Sequence, residues 1–350
     1  MKEPIVYTYP VNISFVRNDL ALLKKHFSVV DFFFNPSPKW TTPFFLLYQF
    51  FFLLFHAPGK KAFVTQFAGY HSLLPGMMAR LLGKPHLIIP GGTDGVYFPE
   101  INYGNYRKFM LRKFTHWSYL RSTHLAPVAD ELMDWDYSYY ETLIKKQGIY
   151  NLYKGTKAPF TTLFYGYDPQ KFFCDSPKKP GSVLTVSQMG PQNFFRKGID
   201  LLLDLARENP DCTFTLVGDQ PGMKYPSPPP NFRILPFIPY DELQKIYRES
   251  EFYYQVSICE GFPSAVCEAM LCECIPIVSD VGAMPLIVGD TGFILEKRES
   301  DKLKEIFREA LNTNRPELGK KARKRIMENF PPETRNKLVE LIKNLIKAGA

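Results

Sequence analysis

The sequence predicts an α/β protein built from two consecutive doubly wound domains. Short runs rich in β-branched and aromatic residues alternate with longer segments that carry apolar residues at helical spacing, which is typical of parallel sheets covered by helices. The alternation stops over residues 168–181, which contain three prolines and no periodic pattern, and then restarts. A length of 350 residues also suits two hydrophobic cores better than one.

Strands and helices are predicted in order along both halves. In the first half, helices are expected over residues 19–26, 72–82 and 103–117, and the strands are IVYTY, VVDFFF, KAFVTQF, PHLIIP, THLAPV and TTLFYG. The second half supplies SVLTVS, TFTLVGD, RILPF, FYYQVS, IPIVSD and GFIL, with helices between them. The predicted domains are residues 1–170 and 182–330, joined by a linker over 171–181 and followed by a helix over 331–350 that could pack back on the first domain.

Composition and charge indicate which classes of molecule the protein could bind. A net charge of +8 and a pI of about 9.0 favour anions such as nucleic acid, acidic lipid headgroups or a phosphorylated substrate. No zinc-finger spacing, RNA-recognition signature or long Lys/Arg run is present, so no nucleic acid is expected. The six cysteines form no C-x-x-C pair, which argues against zinc and favours buried, reduced thiols.

The N-terminal sequence does not resemble a secretory signal, because Pro4, Pro10 and Asn12 interrupt its apolar stretch. We therefore expect a cytoplasmic protein. The longest apolar segment, residues 43–57, is interrupted by Gln49 and is shorter than the ~20 residues that span a bilayer.

Residues 257–292 are the most informative stretch for function. A strand ends near Ser257, a Gly-Phe-Pro turn follows, and Ser264 is predicted to cap the next helix, whose free amides would form an anion site. Glu268, one turn into that helix, would point back toward the bound anion. Two carboxylates, Glu260 and Glu268, indicate a polyol ligand beside the anion; the alternative is that both are ordinary solvated charges.

The run E-G-F-P-S-A-V-C-E-A-M resembles the signature of the retaining family-4 glycosyltransferases. The resemblance implies the GT-B fold, in which two Rossmann-like domains face each other across a cleft. It further implies that Glu260 lies by the donor sugar, that Glu268 binds the ribose hydroxyls, and that the backbone between them contacts the diphosphate. That intervening backbone comprises Gly261, Phe262, Pro263 and Ser264.

A loop after the first strand of the second domain carries the next match, Lys197-Gly198 with Asp200. Lys197 is the candidate cation that stabilises the leaving diphosphate. Arg196 is either a second cation there or a solvated residue. Gln188 occupies the donor-site position where the family usually has an arginine, Glu273 stands where a glycine is common, and Leu286 stands where a glutamate is common.

The first domain carries a loop, Gly91-Gly92-Thr93-Asp94, that resembles the family's sugar and acceptor loop. Its glycines suit a close backbone approach to a ligand. Asp94 is a candidate catalytic residue that binds a sugar hydroxyl, or else a simple turn residue. His71 could lie in the cleft or serve the fold. The family's other glycine-rich loop, normally after the first strand, is absent.

No metal is expected. Asp134-Trp135-Asp136 matches the Asp-x-Asp pattern that holds a divalent metal in another transferase fold, but its surroundings indicate a surface helix rather than a loop after a strand.

The predicted function is transfer of a sugar from a nucleotide diphosphate sugar to a hydroxyl of a glycan or lipid-linked acceptor, in cell-surface polysaccharide or glycolipid synthesis. The reaction would retain the anomeric configuration and need no cofactor. The alternatives are a catalytically silent sugar-nucleotide or glycan-binding subunit and a nucleotide-sugar epimerase.

An anionic membrane is a further candidate partner. Residues 44–55 are unusually aromatic, and residues 106–121 interleave basic with aromatic side chains. These segments could seat the first domain peripherally on the cytoplasmic face of a membrane. The alternative is a buried helix beside a solvated basic face.

Overall fold

A computed structural model describes residues 1–349, and the chain forms two units. Unit 1 comprises Met1–Asp136, Leu143–Tyr165 and the chain from Glu333 onward, and unit 2 comprises Tyr137–Thr142 and Gly166–Pro332. The chain therefore passes between the units after residues 136, 142, 165 and 332. The main division lies a few residues before the predicted boundary at residue 170, and the short segment Tyr137–Thr142 was not expected to leave the first domain.

Unit 1 contains a five-stranded parallel sheet in the order β2-β1-β3-β4-β5. The strands are β1 (Pro4–Tyr9), β2 (Ser28–Phe33), β3 (Ala62–Gln66), β4 (His86–Ile89) and β5 (His124–Leu125). The helices between and after them are α1 (Ser14–His26), α2 (Thr42–His56), α3 (Tyr70–Leu81), α4 (Phe109–Tyr119) and α5 (Ile149–Leu152). An antiparallel pair, β6 (Trp135–Asp136) with β7 (Lys146–Gln147), lies apart from the sheet.

The sheet of unit 1 is covered on both faces because its strand residues alternate between two cores. Ile5 and Tyr7 join a core that includes Leu23 of α1. The intervening Val6 packs with Leu53 of α2 and with residues of α3. This alternation confirms the parallel, helix-covered sheet that the sequence predicts.

Two predicted elements of unit 1 are wrong. The stretch TTLFYG is not a strand: it runs beside β5 through backbone hydrogen bonds from Thr161 to Leu125 (3.0 Å) and from Leu163 to Pro127 (2.9 Å), but it adds no regular ladder. The segment around the Asp-x-Asp triplet is also not a surface helix, because a single 3₁₀ turn, Asp130–Leu132, leads directly into β6.

Unit 2 contains a six-stranded parallel sheet in the order β10-β9-β8-β11-β12-β13. Its strands are β8 (Lys179–Val186), β9 (Thr213–Asp219), β10 (Phe232–Pro236), β11 (Ser250–Gln255), β12 (Ile275–Ser279) and β13 (Phe293–Leu295). Its helices are α6 (Pro191–Arg196), α7 (Ile199–Glu208), α8 (Tyr240–Glu249), α9 (Ser264–Leu271), α10 (Met284–Val288), α11 (Ser300–Leu311) and α12 (Arg315–Asn329).

The last helix, α13 (Asn336–Ala348), belongs to unit 1. Its apolar face, which includes Leu338 and Ile342, completes the core that contains Ile5 and Leu23. Just before it, Arg335 forms a buried ion pair with Asp19 of α1 at 2.6 Å, and the two side chains are 8% and 1% exposed. A buried carboxylate needs such a partner, because an unpaired charge in the core is strongly destabilising.

Among residues 1–349, no helix combines the length and the hydropathy that a membrane span requires. The six cysteines are free thiols; all are buried except Cys174, which is partly exposed.

Candidate functional site

The geometry of a parallel sheet brings together Lys197 and Glu260, the main candidate site residues of unit 2. Lys197 lies at the end of α6, the helix that follows β8, and Glu260 lies in the loop that follows β11. Strands β8 and β11 are hydrogen-bonded neighbours, so their carboxyl ends meet at one edge of the sheet. Ligands of open α/β sheets bind at this edge.

Lys197 and Glu260 form an ion pair through Nζ and Oε1, with side chains that are 15% and 13% exposed. Gln255 Nε2 donates a hydrogen bond to the same carboxylate oxygen at 3.0 Å. Arg196 NH1 lies 3.9 Å from that oxygen and donates to the carbonyl oxygen of Cys259 at 3.1 Å. Arg196 is therefore part of the site rather than a solvated residue. Two cations and one carboxylate leave a net positive charge in a partly buried place.

The pKa values of Lys197 and Glu260 show that each residue favours the charged form of the other. Burial raises the pKa of Glu260, but Lys197 and then Arg196 outweigh it, so the net pKa is below its usual value and the group is a carboxylate. Burial lowers the pKa of Lys197, and Glu260 opposes this effect by favouring the ammonium form. A cation poised in this way can be shared with a second anion.

The loop that carries Lys197 is fixed to β11 by its backbone. Gly198 has φ +68°, and a Cβ at this position would lie 2.3 Å from the Val256 carbonyl oxygen, so only glycine fits. The amide of Ile258 donates to the carbonyl oxygen of Arg196 at 2.8 Å, and the hydroxyl of Tyr254 donates to that of Gly198 at 2.8 Å. These contacts hold Lys197 opposite Glu260 without a ligand.

Helix α9 begins at Ser264, but Ser264 does not cap it. The N-cap position is Pro263, which makes no side-chain cap hydrogen bond, and the hydroxyl of Ser264 accepts a hydrogen bond from Tyr167 at 3.0 Å. The predicted capping role is therefore wrong. Pro263, Phe262 and Gly261 are buried, whereas Ser264 is partly exposed.

Glu268 lies one turn into α9 and is partly buried. Its Oε2 is 3.4 Å from the hydroxyl of Tyr247, a long hydrogen bond. Burial raises the pKa of Glu268 to about 7, and the hydrogen bond from Tyr247 offsets only part of this rise. A carboxyl group kept in such a place without a cation is costly to the fold, which is typical of functional sites.

The structure also places the three residues that depart from the expected pattern, Gln188, Glu273 and Leu286. Glu273 has φ +65°, in the left-handed region that favours the glycine common there. Gln188 has an exposed side chain, and its carbonyl oxygen accepts a hydrogen bond from Asn193 at 2.7 Å. Leu286 is 50% exposed.

The segment Tyr137–Thr142 is a strap that packs in unit 2 behind the Lys197 loop. The hydroxyl of Tyr137 donates to the carbonyl oxygen of Ile258 at 2.8 Å, two residues before Glu260. The carbonyl oxygen of Tyr139 accepts from the amide of Arg298 at 2.9 Å. Arg298 in turn pairs with Asp200 at 2.6 Å. The strap therefore contacts the Glu260 loop directly, and Arg298 links it to Asp200 at the start of α7.

Sequence reasoning missed the residues that support the pair. Gln255 and Tyr253 are polar groups in a buried strand, spaced by two and hence on one face of the sheet. The hydroxyl of Tyr253 donates to Gln255 Oε1 at 3.0 Å, which orients the amide toward Glu260. This spacing of two polar residues in an apolar strand is the sequence feature from which their role could have been predicted. Nothing in the sequence pointed to Tyr137.

In unit 1, Asp94 lies within its own loop, which bears on the two roles that the sequence left open for it. Its carboxylate is fully buried and accepts hydrogen bonds from the amides of Ala68, Gly91 and Gly92 at 2.9–3.1 Å and from the hydroxyl of Tyr119 at 3.1 Å. These contacts occupy both oxygens, so Asp94 is not placed to bind a sugar hydroxyl. It instead holds the shape of the loop that presents Gly92 and Thr93.

His71 is also buried, at 4% exposure, and its Nε2 bonds the carbonyl oxygen of Gln66 at 2.8 Å. Burial lowers its pKa to about 4, so it is neutral. This placement favours the structural role over the ligand-binding one.

Among residues 1–349, no group of three or more His, Cys, Asp or Glu side chains could hold a metal ion. Asp134 accepts a hydrogen bond from Asn151 at 2.7 Å, and Asp136 pairs with Lys146 at 2.5 Å.

Residues 169–329 match the family model of the group 1 glycosyl transferases. The match lies within unit 2, covers less than half of the chain, and contains Lys197, Glu260 and Glu268. A search of curated protein sequences gives no significant match.

Solved structures are similar over almost the whole chain. Sucrose-phosphate synthase from Thermosynechococcus elongatus is 14% identical with a TM-score of 0.73, covering 99% of this chain and 100% of that one. HepE from Anabaena, in complex with UDP and glucose, is 14% identical with a TM-score of 0.67, covering 98% and 100%. A glycosyltransferase from Rickettsia africae is 14% identical with a TM-score of 0.66, covering 99% of each chain. These similarities confirm the GT-B fold.

Proposed function

We propose that the protein transfers a glycosyl group from a nucleotide diphosphate sugar to a hydroxyl of a glycan or lipid-linked acceptor, with retention at the anomeric carbon. The observation that carries this proposal is the partly buried Lys197–Glu260 pair beside Arg196, inside the segment that matches group 1 glycosyl transferases. A nucleotide sugar donor is supported by HepE, which was solved with UDP and with UDP-glucose.

The donor would be held by residues of unit 2 alone. Lys197 and Arg196 would bind the diphosphate, because the leaving group gains negative charge as the glycosyl bond breaks. The backbone from Gly261 to Ser264 would contact the same phosphates at the start of α9. Glu260 would accept a hydrogen bond from the donor sugar, and Glu268 would accept hydrogen bonds from the ribose. Gln188 would lie by the donor without adding charge.

The chemistry we propose needs no protein nucleophile. The acceptor hydroxyl forms a bond to the anomeric carbon while the bond from that carbon to the phosphate oxygen breaks. The departing phosphate oxygen takes the proton of the hydroxyl. Because both groups lie on the same face of the sugar, the configuration is retained, as in the retaining family 4 to which we assign the chain. Lys197 and Arg196 would supply the charge that a metal ion supplies elsewhere, so we propose a metal-independent reaction.

The acceptor would be bound by unit 1. The loop at Gly91, Gly92 and Thr93 has the short side chains that allow a sugar to approach the backbone. We propose a precursor of a cell-surface polysaccharide or glycolipid as the acceptor, used by an enzyme attached peripherally to the cytoplasmic face of a membrane. The free cysteines support a reducing compartment.

The test begins with ligand binding. A thermal-shift screen of nucleoside diphosphates and then of their sugars identifies the donor, because a ligand selective for the folded state raises the melting temperature. Release of nucleoside diphosphate is then measured with candidate acceptors. The anomeric coupling constant of the product, measured by NMR, reports retention or inversion.

The controls separate the alternatives. Lys197→Ala should lose turnover, whereas Lys179→Ala, an exposed lysine of the same unit, should not. Binding of a sugar nucleotide without any turnover would favour a silent binding subunit. In that case, the departures from the family pattern at the exposed Gln188 and Leu286 would contribute to the lack of activity. Conversion of the donor to an epimer without an acceptor would favour an epimerase.

A further inference from the structure

Helix α4 has its amphipathic pattern reversed. Its buried residues carry hydroxyl groups: Thr115, Ser118 and Tyr119. Its solvent side carries large apolar residues that are 40–57% exposed, namely Phe109, Met110, Trp117 and Leu120. A helix that only covered the sheet of unit 1 would have the opposite arrangement.

Helix α2 also turns an apolar face to solvent. It contains no Lys, Arg, Asp or Glu. Phe44, Phe51 and Phe55 are 65%, 47% and 75% exposed, whereas Gln49 is buried and donates to the carbonyl oxygen of His71 on α3 at 2.8 Å. Gln49 thus faces the protein, whereas Phe44, Phe51 and Phe55 face outward.

The helices α2, α3 and α4 form one continuous surface of unit 1. Helix α3 bonds α2 through the Gln49 contact and bonds α4 through the hydroxyls of Ser72 and Ser118, which are 2.7 Å apart. On α3 itself, Met77 and Leu81 are 48% and 79% exposed. Many large apolar residues exposed on three adjacent helices are unusual on a soluble monomer and indicate an interaction site.

The stretch of chain that contains these helices is predominantly basic. Residues 32–129 contain ten Lys and Arg residues but only two acidic residues, Asp94 and Glu100. Asp94 is fully buried, so it adds no charge to the outside. On α4 the ammonium group of Lys113 lies 4.3 Å from the centre of the Phe109 ring, so a cation and an apolar group share one place on the surface.

We infer that the outward faces of α2, α3 and α4 dock on a bilayer of anionic lipid. This inference rests on the proposed function in one respect only: membrane docking would bring the enzyme to a lipid-linked acceptor. Apolar side chains enter the headgroup boundary, and the basic residues contact the phosphates, each contributing about tenfold or less in binding. A second copy of this chain is the poorer occupant, because it would bring a second basic surface against the first.

A cavity beside α4 fits the headgroup of such a lipid. It has a volume of about 360 Å³, and Arg112, Lys113 and Lys154 are among its lining residues. Arg112 is held over the ring of Tyr106 at 4.9 Å, which limits the freedom of the guanidinium group. No acidic residue lines the cavity. A phosphate group would therefore meet three cations next to the exposed apolar residues of α4.

Vesicle co-sedimentation tests the inference on the full chain. Vesicles of phosphatidylcholine are compared with vesicles that also contain phosphatidylglycerol, at low and at high salt. The wild type should pellet only with the anionic vesicles and should be released by salt, because charges are screened over a Debye length of about 8–10 Å. Quenching of Trp117 and Trp40 fluorescence by brominated lipid should report insertion of this surface.

The variants identify the surface. Phe51→Ser combined with Phe55→Ser should weaken partitioning about tenfold, and Arg112→Gln combined with Lys113→Gln should weaken the preference for anionic lipid. The matched control is Phe237→Ser, which changes an 85% exposed phenylalanine of unit 2 and should leave partitioning unchanged. Circular dichroism checks that each variant is folded.

Three outcomes would overturn the inference. The first is that the protein pellets with neither kind of vesicle. The second is that the wild type and the double phenylalanine variant partition equally. The third is that the wild type is a dimer in solution and the double phenylalanine variant is a monomer. Vesicle binding is independent of catalysis, so Lys197→Ala should pellet like the wild type. Loss of turnover with intact pelleting, or the reverse, would therefore show which of the two proposals fails.

Discussion

Replacing Glu268 by glutamine should stabilise the protein at alkaline pH while weakening nucleotide binding. The Glu268 carboxyl group is enclosed by α9 and its surroundings with only the long hydrogen bond from Tyr247 to offset its burial. A rise in pKa from the ordinary value of 4.5 to about 7 corresponds to about 3 kcal/mol of unfavourable charge burial above pH 7. Glutamine has nearly the same size, can accept the same hydrogen bond, and carries no charge.

The sign of the pH dependence follows from which state holds the proton more tightly. Between pH 4.5 and about 7 the folded protein keeps Glu268 protonated, whereas the unfolded chain releases the proton. The free energy of unfolding therefore falls as pH rises through this interval. Glu268→Gln removes this contribution, so the variant and the wild type should differ little near pH 4.5 and most at pH 8.

Calorimetric unfolding at pH 5 and pH 8 measures the effect. For a unit of this size, about 3 kcal/mol corresponds to a rise in melting temperature of roughly 6–12 °C at pH 8. Glu309→Gln, which changes an exposed carboxylate of the same unit, is the control and should show no such difference. Equal pH dependence in Glu268→Gln and the wild type would refute the reasoning. Isothermal titration with a nucleoside diphosphate should show binding weakened about tenfold in the variant, because a charged acceptor for the ribose hydroxyls is replaced by a neutral one.

Other predictions concern turnover. Lys197→Ala should lower kcat by about two to three orders of magnitude in steady-state kinetics, because it removes a cation at the leaving group; an unchanged kcat would exclude this role. Glu260→Ala should mainly lower kcat and leave donor KM nearly unchanged, and a rise in KM alone would instead indicate ground-state binding. EDTA should have no effect, and loss of activity that manganese restores would return attention to Asp134 and Asp136. Tyr137→Phe should lower kcat several-fold and destabilise unit 2 by about 1 kcal/mol, whereas wild-type kinetics would show that the strap does not position the Glu260 loop.

Much of the fold could be predicted because its strands are short apolar runs between helical patterns. The six strands of unit 2 and the first five of unit 1 were found in this way. The prediction of a strand at TTLFYG failed because composition alone does not show whether an extended segment has a neighbouring strand with which to form a regular ladder. The Asp-x-Asp segment failed because a short 3₁₀ turn and a two-residue strand are below the length at which periodicity is informative.

The site was partly predictable for a similar reason. Lys197 and Glu260 follow neighbouring strands, and a parallel sheet places such loops at one edge. The burial of Asp94 and His71 depends on helices that arrive from elsewhere in the chain, such as the one carrying Tyr119, and no local pattern reveals this. Ser264 was misassigned because its hydroxyl prefers a tertiary partner, Tyr167, to the helix amides.

The ion pair between Asp19 and Arg335 joins residues that are 316 positions apart in the chain. Because a polypeptide is synthesised from its N-terminus at about 5–20 residues per second, Asp19 leaves the ribosome long before its partner exists. Until α13 arrives, the groove that Leu338 and Ile342 will fill remains open, and the carboxylate has no cation with which to be buried. The long stretch 166–332 is complete earlier. The later-made unit can thus close first during translation, and the earlier-made unit finishes only after α13 has been synthesised.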